Sequence, residues 1–158
     1  MEVLYLYSIF ESYVRRHVAE IQQTKGKEPD ILDKIKKNRS FARVVELYFA
    51  EHAKWPSLKS QRWDELDELT CVRNCIAHSG GVVLKSKQNQ KIYNLERRLW
   101  KGQPVGLSIL RINGNDIGEP IIIDPPFLEY CLDLLEAFFR DLAEASNGKY
   151  NAPKAVIN

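Results

Sequence analysis

Apolar side chains recur at every third or fourth position from Met1 to about Gln23, at Leu4, Leu6, Ile9, Phe10, Tyr13, Val14, Val18 and Ile21. That spacing fits the 3.6-residue turn of an α-helix, so the segment reads as an amphipathic helix with one face to bury. The same period returns at Phe41, Val44, Val45, Leu47, Tyr48 and Phe49, and at Trp63, Leu66, Leu69, Val72 and Ile76. It appears again at Ile92, Leu95 and Leu99, and at Leu128, Cys131, Leu132, Leu135, Phe138, Phe139 and Leu142. Helices with such stripes bury them against one another, which predicts an all-α bundle of up-and-down core helices.

Turn chemistry sets the boundaries. Gly26 and Pro29 end the first helix, Asp30 caps a short helix through Lys36, and Ser40 is a plausible N-cap for the next. Trp55-Pro56 breaks that helix, and another runs from about Gln61 to His78. Its early turns hold Asp64, Glu65, Asp67 and Glu68, where carboxylates favour the positive end of the helix dipole. Ser79-Gly80-Gly81 stops it, because Gly accepts the left-handed conformation of a C-terminal cap. Asn89 to Trp100 reads as one more helix. The period then changes: Leu107 to Ile112, a turn over Asn113 to Asp116, and Glu119 to Ile123 form a small β-hairpin before the last helix, Phe127 to about Ala145. A single domain over residues 1–146 is expected, with a flexible tail at 147–158.

The chain has 158 residues, long enough for one closed core, and its 44% hydrophobic and 28% charged residues are an ordinary globular balance. No stretch approaches the roughly 20 apolar residues of a membrane span, so no membrane partner is expected. The N-terminus has neither a basic region nor a small-residue cleavage site, so no signal peptide is expected. Cys71, Cys75 and Cys131 fit no zinc or disulfide spacing. Cys71 and Cys75, four apart, share a helix face and read as small hydrophobes, and a cytoplasmic location is the default. A net charge of +2 does not announce a nucleic-acid protein. The basic clusters Lys34 to Arg39, Lys85 to Lys87 and Arg97 to Lys101 read first as solvated faces.

Chemistry gathers at Arg73-Asn74-Cys75-Ile76-Ala77-His78, at the end of the fourth predicted helix. Asn74 and His78 lie about 40° apart around the axis and share a face, whereas Arg73 and His78 lie about 140° apart. One copy of the helix therefore does not simply aim both at one atom. Unwinding at the glycines, the reach of the Arg side chain, or two helices meeting across a dimer would reconcile them. The pair suits phosphodiester cleavage without a metal. A His can take the proton of a ribose 2′-OH or give one to the leaving 5′-oxygen, and the helix C-terminus favours the imidazolium. An Arg offers a planar fork to phosphate oxygens. His17, His52 and His78 are scattered, with no HExxH spacing, so neither a metal nor a cofactor is expected. The competing reading is a plain helix end, where Arg73 and His78 bind free carbonyls and surface carboxylates.

These residues resemble the signature of the HEPN superfamily, an Arg, four to six residues and a His, with a polar residue after the Arg. The string RNCIAHSGG is similar to the RNxIxHxxG form of the RiboL-PSP-HEPN branch, and Phe10-Glu11 matches the aromatic-acidic pair of an early helix there. A hairpin before a last helix is also similar. The resemblance covers most of the chain, but only the RNxxxH stretch is specific. It implies a HEPN-like helical bundle, a homodimer through the motif-bearing helix, and metal-independent endoribonuclease activity in toxin–antitoxin, phage-defence or RNA-processing systems. An antitoxin such as a nucleotidyltransferase would then be a partner. Arg73, His78 and Asn74 become the catalytic candidates, with Glu11 and Ser79 weaker supporting ones. Ser79 stands where the family usually has Asn, which leaves the supporting hydrogen bonds of the site open. Some members have lost catalysis, so the alternative is a non-catalytic module that binds RNA, a nucleotide or a partner protein.

Overall fold

The structure is a computed structural model that describes residues 2–28, 31–35, 39–53, 60–84, 90–100, 106–111 and 118–150. Helices dominate it: α1 (Glu2–Thr24), α2 (Ile31–Ile35), α3 (Phe41–Leu47), α4 (Ser60–Ser79), α5 (Gln90–Leu99) and α6 (Pro125–Tyr150). The predominantly helical bundle read from the sequence is what forms. Ser40 caps α3 as expected, its Oγ accepting from the Arg43 N–H at 3.3 Å. The helix then continues through a π-helical stretch, Tyr48–Ala53. Asp30, Lys36, Trp55, Pro56 and Asn89 lie outside the described residues.

α4 is the central helix and packs on α1, α3, α5 and α6. Trp63, Leu66, Leu69 and Val72 are buried as the stripe predicts, but Cys75 is buried in place of Ile76, which is half-buried. An aromatic cluster ties the layers together. Phe10 of α1 meets Phe41 of α3 at 5.8 Å and Phe138 of α6 at 5.4 Å, and Phe138 meets Trp63 of α4 at 5.2 Å. Edge-on rings of this kind add to what their burial already contributes.

Several expectations are corrected. On α1 the buried stripe is Val3, Tyr7, Phe10, Val14, Val18 and Ile21, while Ile9 and Tyr13 are exposed. On α6, Leu132 is exposed and Leu134 is buried. α6 runs on to Tyr150, into the segment expected as tail. The carboxylates at the start of α4 are bound by side chains of other helices. Asp67 is buried and accepts from Ser40, from Arg43 at 3.3 Å and from Lys91. Asp64 pairs with Arg43, and Glu68 with Arg98 of α5 at 2.5 Å. Arg98 also donates to Tyr130 of α6 at 3.1 Å, so this basic residue is a bolt between helices.

The predicted hairpin pairs as expected, β2 (Leu107–Ile109) antiparallel to β3 (Glu119–Ile123), with Ser108 opposite Ile122. Ile112 and Asn113 to Asp116 lie outside the described residues. A strand absent from the sequence reading completes the sheet. β1 (Val82–Val83) follows α4 directly and pairs antiparallel with β3, giving the order β1-β3-β2. Val83, Leu107 and Ile109 face the core, while Leu84, Leu110 and Ile122 are exposed on the other face. Among the described residues no helix is long and apolar enough to cross a membrane.

Candidate functional site

The site lies where one row of α4 leaves the core. Leu66, Thr70, Asn74 and His78 are spaced by four, and each step turns about 40° around the axis. Leu66 and Thr70 are buried, and Asn74 and His78 are exposed. This drift explains how a helix packed on most of its circumference still presents two polar side chains at its end. Among the residues from Leu66 to Ser79, only Asn74, Ala77 and His78 are fully on the surface.

Arg73 starts from the buried side of the helix and is half-buried. Its guanidinium lies over the Tyr7 ring of α1, with Cζ 5.7 Å from the ring centroid. Nη1 donates to Asn74 Oδ1 at 2.9 Å. The long side chain thus carries the charge from the core side toward the face shared by Asn74 and His78, the second of the ways to reconcile the 140° offset. Nε is buried and has no hydrogen-bond partner among the described residues.

His78 is exposed in the last turn of α4 and makes no hydrogen bond or ion pair to another described residue. The helix ends just beyond it. Gly80 and Gly81 take φ of 59° and 81°, and the Gly81 N–H closes onto the Cys75 carbonyl at 3.1 Å. The Gly81 carbonyl accepts from the Ile121 N–H at 2.8 Å, so the sheet is pinned to the end of the site helix. Ser79 is half-buried, and its hydroxyl makes no side-chain hydrogen bond to another described residue. Arg73 and His78 make no hydrogen bond to a backbone carbonyl and no ion pair with a carboxylate of another described residue.

Glu11 is not brought to Arg73 or His78 by a hydrogen bond. Its Oε1 accepts from Arg15 at 3.1 and 3.2 Å, and Arg15 also reaches Asp33 at 3.2 Å. Glu11 is near enough to act through its charge on Tyr7, as Arg73 does with the opposite sign. Two residues beside Arg73 escaped the sequence reading. Tyr7 and Thr70 share a 2.7 Å hydrogen bond beneath the guanidinium. Tyr7 stands three before Phe10 in the buried stripe and Thr70 four before Asn74, but no local pattern joins the two.

Burial pushes the Tyr7 hydroxyl well above the ordinary phenol range. Burial likewise raises the thiols, Cys71 to about 11 and Cys131 to about 12, so the cysteines act as packing groups. Among the described residues no three or more His, Cys, Asp or Glu gather where they could hold a metal ion. Comparison with protein-family models, with curated proteins and with solved structures finds no match.

Proposed function

We propose that this chain is a HEPN-like, metal-independent endoribonuclease that cuts single-stranded RNA at a cleft formed by two copies of α4. The observation that carries the reading is the Arg73 guanidinium folded onto Asn74 Oδ1 at 2.9 Å, on the exposed row that ends in His78. A phosphate at that row meets a charged planar fork and an imidazole free to exchange a proton. The 2′-hydroxyl gives its proton to neutral His78 of one copy, and the 2′-oxygen attacks phosphorus. The bond from phosphorus to the 5′-oxygen breaks, and that oxygen takes a proton from the imidazolium of the second copy's His78. The products are a 2′,3′-cyclic phosphate and a 5′-hydroxyl. Arg73 stabilises the charge on the non-bridging oxygens, and Asn74 holds Arg73.

Support for a second copy comes from two features. The reaction needs a base at the 2′-oxygen and an acid at the 5′-oxygen, on opposite sides of the phosphorus, and one His78 cannot be both at once. The sheet pinned to the end of α4 also leaves Leu84, Leu110 and Ile122 exposed on its outer face, an apolar patch of the kind that marks an interface. The implied setting is a cytoplasmic toxin–antitoxin or phage-defence system, with an antitoxin such as a nucleotidyltransferase as partner. The test is cleavage of single-stranded RNA in EDTA by the wild type and by His78→Ala. The wild type should leave cyclic-phosphate ends and the variant should lose activity by about 10³-fold or more, as removal of a general acid and base does. Equal cleavage by both would overturn the assignment.

One observation favours a second reading, a non-catalytic module that binds RNA, a nucleotide or a partner protein. His78 has no hydrogen-bonded neighbour among the described residues to orient its imidazole. RNA binding that weakens steeply with salt, without product, would select it.

A further inference from the structure

Arg73 needs a fixed direction to serve as a phosphate fork, and its own helix gives it one neighbour, Asn74. A second neighbour comes from α1. The Tyr7 ring lies under the guanidinium, with Cζ 5.7 Å from the centroid, within reach of a cation–π attraction. Tyr7 is itself held. Thr70 donates its hydroxyl proton to the Leu66 carbonyl at 2.8 Å, so in the 2.7 Å contact with Tyr7 the Thr70 oxygen accepts and the phenol donates. A chain of hydrogen bonds thus runs from the α4 backbone through Thr70 to the phenol. The ring at its end is 2% exposed and packs edge-on against Phe10 at 5.5 Å. The guanidinium lies between a clamped aromatic face and Asn74, with Nε buried.

We infer that Tyr7 is a positioning residue for Arg73, and that Thr70 holds the hydroxyl end of its ring in place. The inference takes its chemical meaning from the ribonuclease reading, where the Nη atoms must face the phosphate in both ground and transition states. Tyr7 does not exchange protons in this role: it is a buried, neutral donor whose proton is committed to Thr70. The same arrangement explains why a single-atom change far from the phosphate would be felt there, since small displacements of an oriented group are costly in rate.

The test uses Tyr7→Phe, which keeps the ring and volume and deletes only the anchoring hydroxyl, and Tyr7→Leu, which deletes the aromatic face. In the wild-type background Tyr7→Phe should lower kcat/KM for RNA about tenfold, the loss expected for one such hydrogen bond. In an Arg73→Lys background, where no planar fork remains to be aimed, the same change should cost less than about twofold. A merely structural role predicts the same factor in both backgrounds, and that result would overturn the inference. A second readout needs no activity. In ¹⁵N-labelled protein the Arg73 Nε–H should be ring-current shifted and protected from exchange, with protection reduced in Tyr7→Phe and both features lost in Tyr7→Leu. An Arg73 signal unchanged in both variants would also overturn it. If the wild type leaves RNA intact, the ribonuclease reading fails, and the Arg73 signal still decides whether Tyr7 holds the guanidinium.

Discussion

Asp67→Asn tests whether the helices around the site are held by a buried charge or by apolar packing alone. The Asp67 side chain is 3% exposed, and its oxygens accept from Ser40 and Arg43 of the α3 region and from Lys91 of α5. The amide keeps the shape but loses the charge. Breaking a buried pair at one partner costs about 3–5 kcal/mol, because the other charge is left uncompensated. Here the stranded cations have outlets. Lys91 is 49% exposed, and Arg43 keeps Glu46 at 2.7 Å as well as Asp64. The lower end applies, about 3 kcal/mol, which lowers Tm by about 6–12 °C in a domain of this size. Urea unfolding should show a lower midpoint with an unchanged slope. Burial raises the Asp67 carboxyl, but the bonds from Lys91 and Ser40 and the charges of Lys91 and Arg43 outweigh it and hold it below the ordinary value. A carboxylate depressed in the folded state adds stability that is present above its unfolded value, about 3.9, and lost as pH falls through the folded one. The gap between wild type and variant should therefore be full at neutral pH and close below about pH 4. A gap under about 1 kcal/mol at pH 7, the size of a surface pair, would refute the reasoning.

Two further perturbations separate strain from steric conflict and packing from reactivity. Gly106 and Gly80 share a left-handed backbone, with φ of 58° and 59°, but a Cβ at Gly106 would lie 2.6 Å from the Phe127 nitrogen and one at Gly80 meets nothing within 4 Å. Gly80→Ala should cost only the backbone term of about 1–2 kcal/mol, whereas Gly106→Ala should cost clearly more, since backbone must move; equal losses in thermal unfolding would contradict this. Native protein should react with a thiol reagent at neutral pH far more slowly than unfolded protein, because burial raises Cys71, Cys75 and Cys131 alike. A fast-reacting native thiol would show that one of them is more than packing.

What the sequence makes legible follows from the range of the forces involved. The 3.6-residue period marks α1, α4, α5 and α6, and local chemistry gives the Ser40 cap and the glycine stop after His78. In α1 the apolar residues run around the helix, so periodicity admits two faces. The choice of Val3 and Tyr7 over Ile9 and Tyr13 is made by α4 and α6, which no local window contains. β1 is two residues long, too short for any alternation to show, and exists because β3 arrives beside it. Asp67 looks like any early-turn carboxylate until Arg43 and Lys91, each 24 positions away, are brought to it. At the candidate site, Arg73, Asn74 and His78 are legible because their spacing is local. Tyr7, 63 positions from Thr70, is not.

The geometry of α4 ties the number of copies to the chemistry. From Leu66 onward α4 buries most of its circumference, and over that stretch only Asn74, Ala77 and His78 lie fully on the surface. Asn74 and His78 lie one turn apart on that end of the helix, and Arg73 reaches their face by folding over Tyr7 toward Asn74. One chain therefore presents an anchored fork beside an imidazole with no oriented partner among the described residues. General acid–base cleavage needs a base at the 2′-oxygen and an acid at the 5′-oxygen, on opposite sides of the phosphorus. A single His78 cannot stand on both sides at once. Two last turns facing each other across a two-fold axis place one imidazole on each side and a fork from each chain at the phosphate, which makes the oligomer a requirement of the proposed reaction.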